Sequence, residues 1–303
     1  MKAIKYWIFL ALGVLSSNLL FAQNYPSGSL LWKISGNNLE KPSYILGTFH
    51  LKSGAYLDSI PGATAALNRS EQVVGELEMS NMQEMQIQMQ SQMTMPTDTT
   101  YNMLYSTKEY DYVSEKLVTL LGANLDNIGN LKPAIIQQTL VIMSYARLIP
   151  ESDQEDLLDV FIQQEAIRQQ KPVLGLETVD EQMATLFSSS LQRQADLLLC
   201  FLEYSDEIIL NEINDIIEYY NKADLDALSF YFSIDNDSLC PPTQEEIDTL
   251  IKNRNEQWMK KLPAMMQEKS SFIVVGAGHL LGEEGLLHQL ELVGYTVLKM
   301  DAI

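Results

Sequence analysis

Two stretches decide how this chain folds: Tyr44-Ile45-Leu46-Gly47-Thr48-Phe49-His50 and Phe272-Ile273-Val274-Val275-Gly276-Ala277-Gly278-His279. Each is a short β-rich apolar run followed by glycine, two further residues and a histidine, and the two leading glycines lie 229 residues apart. Outward from the first, a helical pattern over residues 60–69 leads to a second strand-like run at 72–79. Outward from the second, a helical pattern over 283–293 leads to Tyr295-Thr296-Val297-Leu298-Lys299. Glycine just past a strand permits a tight turn or a close approach to a ligand. A histidine three residues on then stands at the strand's carboxyl end, where open α/β sheets place their sites. The chain has three histidines, and two of them, His50 and His279, occupy equivalent positions in this weak repeat. The pattern predicts a mixed α/β (α+β) fold. Its central sheet is expected to carry two strand–helix–strand halves, separated in sequence by a large helical middle.

With 303 residues, 46% of them hydrophobic, the chain can bury a substantial core. Residues 1–22 read as a signal peptide: Lys2 and Lys5 precede an apolar run at 6–15, and Ala22 offers a small residue for cleavage. Ser16, Ser17 and Asn18 make the segment too short and polar for a membrane span, and no cysteine near the cut offers a lipid anchor. An exported protein, periplasmic or secreted, is expected, with no stable membrane insertion after cleavage and one domain over 23–303. Without Lys2 and Lys5 there are 18 basic against 40 acidic residues, a net charge of −22. That charge disfavours nucleic acid and anionic lipid as partners. Cys200 and Cys240 can pair in an oxidising compartment, and neither has zinc-ligand spacing.

Residues 29–35 and 41–51 read as a hairpin turning at Gly36, Asn37 and Asn38. Met79, Met82, Met85, Met89 and Met93 then recur at helical spacing between glutamines. This stripe either packs on the body or roofs a cleft. From 97 to 270 the pattern is mostly helical. Capping boxes stand at Ser106/Glu109, Ser152/Glu155, Thr178/Glu181 and Thr243/Glu246. Helices are expected from Lys132-Pro133 and over 157–169, a short strand at 172–177 ending in Glu177, and a polar loop at 235–242.

On a strand, Glu76 and Glu78 would point to one face, and like charges so placed need a cation or a shared proton to relieve them. Arg254 interrupts the apolar helical stripe Ile247, Leu250, Ile251, Trp258 and Leu262. A buried guanidinium needs a carboxylate, and Glu177 is a candidate; the alternatives are an Arg254 that snorkels outward and a solvated Glu177 before the Thr178 cap. His288, mid-helix among leucines, reads as an ordinary helix histidine. Gly-x-Ser-x-Gly, His-Glu-x-x-His, Cys-x-x-Cys and a glycine-rich phosphate loop are absent. Two imidazoles and a carboxylate do form a divalent-metal set with room for a water.

In order, Leu46-Gly47-Thr48-Phe49-His50-Leu51, Val73-Val74-Gly75-Glu76-Leu77-Glu78, Lys171-Pro172-Val173-Leu174-Gly175-Leu176-Glu177-Thr178, Arg254-Asn255 and Val275-Gly276-Ala277-Gly278-His279-Leu280-Leu281-Gly282 resemble the TraB/GumN family. That family includes the TIKI metal-dependent peptidases that act on Wnt proteins and the bacterial pheromone-shutdown proteins. The likeness runs from about residue 29 to 300. It implies a fold similar to the erythromycin-esterase/ChaN-like group, with His50 and His279 as the motif histidines, Glu76 as the acidic position and Arg254 as the arginine. The reading is an exported metal-dependent hydrolase, a peptidase by resemblance, acting on a peptide or protein. Its metal set is His50, His279 and Glu76 around a divalent cation (Mn, Co or Zn), with Glu78 exchangeable for Glu76 as ligand. Glu78 or Glu177 would take a proton from water, and Arg254 would stabilise an oxyanion or fix a carboxylate. The alternative is a non-catalytic protein that binds a peptide, haem or a metal ion through the same histidines.

Overall fold

The computed structural model describes residues 28–148, 156–231 and 241–300. The leader expected at 1–22, the Ser152/Glu155 box and most of the 235–242 loop lie outside the described residues. The architecture is mixed α/β. Six strands, β1 (Leu31–Gly36), β2 (Ser43–Thr48), β3 (Gln72–Gly75), β4 (Val173–Gly175), β5 (Ser271–Gly276) and β6 (Tyr295–Lys299), form one sheet in the order β4-β3-β5-β2-β1-β6.

β1 and β2 make the expected antiparallel hairpin, turning through Asn37 and Asn38 at φ 46° and 63°. Asparagine tolerates that left-handed backbone better than most residues. β2 pairs in parallel with β5, placing Leu46 opposite Val274, and β5 pairs in parallel with β3. β3 in turn pairs in parallel with β4, while β6 lies antiparallel to β1 at the other edge. Every residue of β2, β3 and β5 is buried. Strands covered on both faces carry near-continuous apolar runs rather than alternation, which is why Tyr44-Ile45-Leu46 and Phe272-Ile273-Val274-Val275 read as they do.

The two halves of the repeat are both present. The first runs from β2 through a 3-10 turn (Gly54–Ser59) and a helix (Ala63–Arg69) to β3; the second from β5 through a 3-10 turn (Ala277–Leu280) and a helix (Leu286–Leu292) to β6. Between them the chain is largely helical, and the boxes at Ser106, Thr178 and Thr243 all close as capping boxes. The methionine stripe forms the helix Met82–Gln92, with Met85 buried and Ile87 open to solvent. It packs on the helix Val179–Leu186, where Gln92 donates to Asp180.

Two elements depart from expectation. The strand read over 72–79 stops at Gly75. Beyond it the Leu77 carbonyl and the Met79 N–H bond the side-chain amide of Gln163 instead of a neighbouring strand. The apolar stripe around Arg254 is not one helix but three short ones, Gln244–Leu250, Lys252–Met259 and Leu262–Glu268. Its members Ile247, Ile251, Arg254, Trp258 and Leu262 are all buried nonetheless.

Candidate functional site

Strands β4, β3, β5 and β2 are adjacent and parallel, so their carboxyl ends share one edge of the sheet. Each is followed within a few residues by a polar side chain: Glu177 after β4, Glu76 after β3, His279 after β5 and His50 after β2. This is the place at which open α/β sheets build sites.

Glu76 lies at the centre and is 7% exposed. Its Oε1 accepts the Gly276 N–H at 2.8 Å and stands 3.7 Å from His50 Nε2 and 3.8 Å from His279 Nε2. Its Oε2 accepts from Arg254 Nη2 at 2.5 Å and from Gln182 at 3.2 Å. The same guanidinium grips Glu177 through Nη2 at 2.6 Å and Nε at 3.2 Å. Its Nη1 donates to His279 Nε2 at 2.9 Å. Arg254 therefore meets its carboxylates rather than snorkelling outward. It also lies over the Trp258 ring, which packs against His279 at a centroid distance of 4.3 Å.

The other sequence candidates stand apart. Glu78 is exposed and accepts from Ser80; with β3 ended at Gly75, the alternation that would have set it beside Glu76 no longer applies. His288 bonds the Glu283 carbonyl in the Leu286–Leu292 helix.

Four residues of the site were given no role from the sequence, although Thr48 and Asn255 stand in the quoted motifs. Asp159 bonds His50 Nδ1, Thr48 bonds Asp159, Asn255 bonds His279 Nδ1, and Gln182 bridges Glu76 and Glu177. A signal for Asp159 existed: it interrupts the buried face Leu158, Ile162, Ala166 of its helix just as Arg254 interrupts its own.

Electrostatics follow from these contacts. Burial works against a charged Glu76, but Arg254 and the two imidazoles hold its carboxyl well below the usual carboxylate range. Burial pushes the Glu177 carboxyl up. It also pushes His279 well below the ordinary imidazole value, and the adjacent Arg254 adds to that. His50 goes the other way: burial lowers it, yet Asp159 and Glu76 outweigh burial and Arg254 and raise it to about 9.

The two histidines set opposite slopes on the stability of the metal-free protein. Below pH ~6.5 an unfolded His279 takes a proton that the folded ring refuses, so acid destabilises. Between pH ~6.5 and 9 the folded His50 keeps a proton that the unfolded ring has lost, so base destabilises. The shift corresponds to about 3 kcal/mol at most. Solvent screening of a side chain 32% exposed cuts this to about 1–2 kcal/mol. Urea unfolding in chelator should show a maximum near pH ~6.5; a profile flat from there to pH 9 contradicts the assignment.

As donors the set fits a divalent cation: two imidazole nitrogens face one carboxylate oxygen at nearly equal distances. Among the described residues no three His, Cys, Asp or Glu are arranged to hold an ion as they stand. In this arrangement Arg254 Nη1 donates to the His279 Nε2 lone pair. An ion shared by both rings requires that hydrogen bond to open.

Comparison with known proteins adds a lineage to this geometry. The model of the TraB/PrgY/gumN family matches residues 30–299. The chain belongs to that family. A relative named metalloprotease TIKI1 from Xenopus tropicalis is 26% identical over 90% of this chain and 62% of its own length. Human metalloprotease TIKI1 is 27% identical over 89% of this chain and 61% of its own. A metalloprotease TIKI homolog of Nematostella vectensis is 24% identical over 89% of this chain and 66% of its own. The chain thus spans about three fifths of the length of the curated relatives it matches. No solved structure matches it.

Proposed function

We propose that this member of the TraB/PrgY/gumN family is an exported, metal-dependent hydrolase that cleaves peptide bonds. The observation that carries the reading is the convergence of His50 Nε2 and His279 Nε2 on Glu76 Oε1 at 3.7 and 3.8 Å. The metalloprotease names of its relatives support it. Export is supported by the signal-like residues 1–22 and by a disulfide at Cys200, since disulfides persist in oxidising compartments. The partner expected for it, Cys240, lies outside the described residues. No described helix is long and apolar enough to cross a membrane.

In this reading His50, His279 and Glu76 hold the cation, which supplies Lewis acidity and a water ionised near neutral pH. Glu177 fits the role of proton acceptor, because burial raises its carboxyl and makes it the better base. Glu78, exposed beyond β3, is the second candidate and would serve from the rim. Arg254 holds Glu76 and Glu177 in register. Once its Nη1 leaves His279, that N–H is available to a developing oxyanion.

The test is elemental analysis after incubation with manganese, cobalt or zinc, comparing the mature protein with its H50A/H279A double variant. About one equivalent is expected in the first and none in the second; equal contents end the proposal. An ion bound without cleavage of a degenerate peptide library, and with Glu76→Gln changing nothing, would make this a binding protein.

A further inference from the structure

We infer that Asp159 and Asn255 are positioning residues. Whenever either ring, His50 or His279, is neutral they fix it in the same tautomer, proton on Nδ1, so that Nε2 is the unprotonated nitrogen and faces Glu76. A carboxylate only accepts hydrogen bonds. With Asp159 Oδ2 3.1 Å from His50 Nδ1, the ring nitrogen must donate. The other oxygen of Asp159 accepts from Thr48 Oγ1 at 2.9 Å, so the carboxylate, 6% exposed, is held from both sides.

For His279 the argument runs through an amide. Asn255 Nδ2 donates to the carbonyls of His279 at 3.1 Å and Glu284 at 2.7 Å. Carbonyls only accept, so the amide orientation is settled and its oxygen faces His279 Nδ1 at 2.7 Å. That nitrogen donates as well. Arg254 Nη1, a donor only, then meets the unprotonated Nε2. Two unrelated elements thus select the same tautomer for both rings when neutral.

The helix that carries Asp159, Leu158–Arg168, is built for the task. Its start is stitched to the segment after His50 by Leu158 N–H to Lys52 O and Gly54 N–H to Asp156 O, at 2.7 and 2.8 Å. One turn on, Gln163 donates to Leu77 O at 2.9 Å and accepts from Met79 N–H at 2.7 Å, fixing the segment after Glu76. Asp159 and Gln163, four apart on one helix face, therefore set the first histidine and the central carboxylate relative to each other.

The consequence for an ion rests on the proposed function, but the tautomers do not, so the two can fail separately. In ¹⁵N-labelled protein held in chelator, long-range ¹H–¹⁵N correlations report which ring nitrogen carries the proton. His279 is read at neutral pH and His50 on the alkaline side of its own titration, where the neutral ring predominates. Nδ1–H is expected for both. Asp159→Leu should return His50 to the Nε2–H form common in water and leave His279 unchanged; Asp159→Asn, which keeps an acceptor, should preserve Nδ1–H. Affinity for manganese or cobalt, read by calorimetry, should fall about 10–100-fold in Asp159→Leu and less in Asp159→Asn. A neutral wild-type His50 ring protonated on Nε2, or an unchanged tautomer in Asp159→Leu, overturns the inference. Should that variant not fold, the wild-type and Asp159→Asn spectra still decide it. Expected tautomers in a protein that takes up neither ion would sink the metal reading and leave the positioning role standing.

Discussion

Replacing Arg254 with methionine should lower the unfolding free energy of the metal-free protein by about 3–5 kcal/mol at pH ~7.5. The size follows from what is left behind rather than from the bonds lost. Glu76 and Glu177 are 7% and 6% exposed, and the guanidinium is the cation that lies between them. Removing it leaves two buried carboxylates with the His50 imidazolium, 3.7 Å from Glu76, as the remaining nearby counter-charge, and taking up a proton relieves them. The loss should therefore shrink by more than half as the pH falls towards 5. Methionine roughly matches the apolar stem, so packing against Trp258 is largely kept. Urea titrations at the two pH values are the measurement. A small loss, equal at both, would mean that the guanidinium is not the counter-charge of this cluster.

The second large effect concerns a single methyl group. A Cβ on Gly276 would stand 3.0 Å from His50 Nε2 and 3.4 Å from Glu76 Oε1, in the middle of the converging atoms. The backbone there has φ −54°, which alanine adopts freely. Gly276→Ala should consequently fold to within about 1 kcal/mol of wild type. Uptake of manganese or cobalt, and any peptide cleavage, should drop by at least ~100-fold, the penalty expected when a site is displaced by about 1 Å. Calorimetric ion titration beside a thermal melt separates the two effects. Undiminished binding would place the ion elsewhere. Gly47→Ala makes a contrast, because its Cβ meets Leu280 Cδ1 at 2.7 Å and the Ala277 backbone at 3.1 Å. That clash lies in packing and should cost stability first.

These glycines also show what could be read without coordinates. A turn or a close approach were both compatible with glycine at the end of β2 and β5, and close approach is what the structure has: neither Gly47 nor Gly276 has positive φ. The hairpin, the two histidine-bearing halves and the closed capping boxes were legible because each rests on local pattern. Arg254 was legible as a charge in an apolar stripe. The end of β3 was not, because it depends on Gln163, distant in sequence, capturing backbone groups that a strand would otherwise use. Asp159 was missed, and Asn255 quoted without a role, because a short polar residue on a helix is ordinarily a solvated one. Only the fold reveals that they face imidazoles.

The seam between β2 and β5 joins residues 228 apart, Tyr44 to Phe272 among them. During synthesis the apolar edge of β2 must wait for its neighbour while the intervening chain is made. At about 5–20 residues per second the delay is roughly 10–50 s. An unpaired hydrophobic strand edge is a template for aggregation over such a time. The unfinished polypeptide thus carries an open apolar edge, and a message truncated before β5 would yield a sticky fragment that lacks His279 and so has no imidazole pair at all.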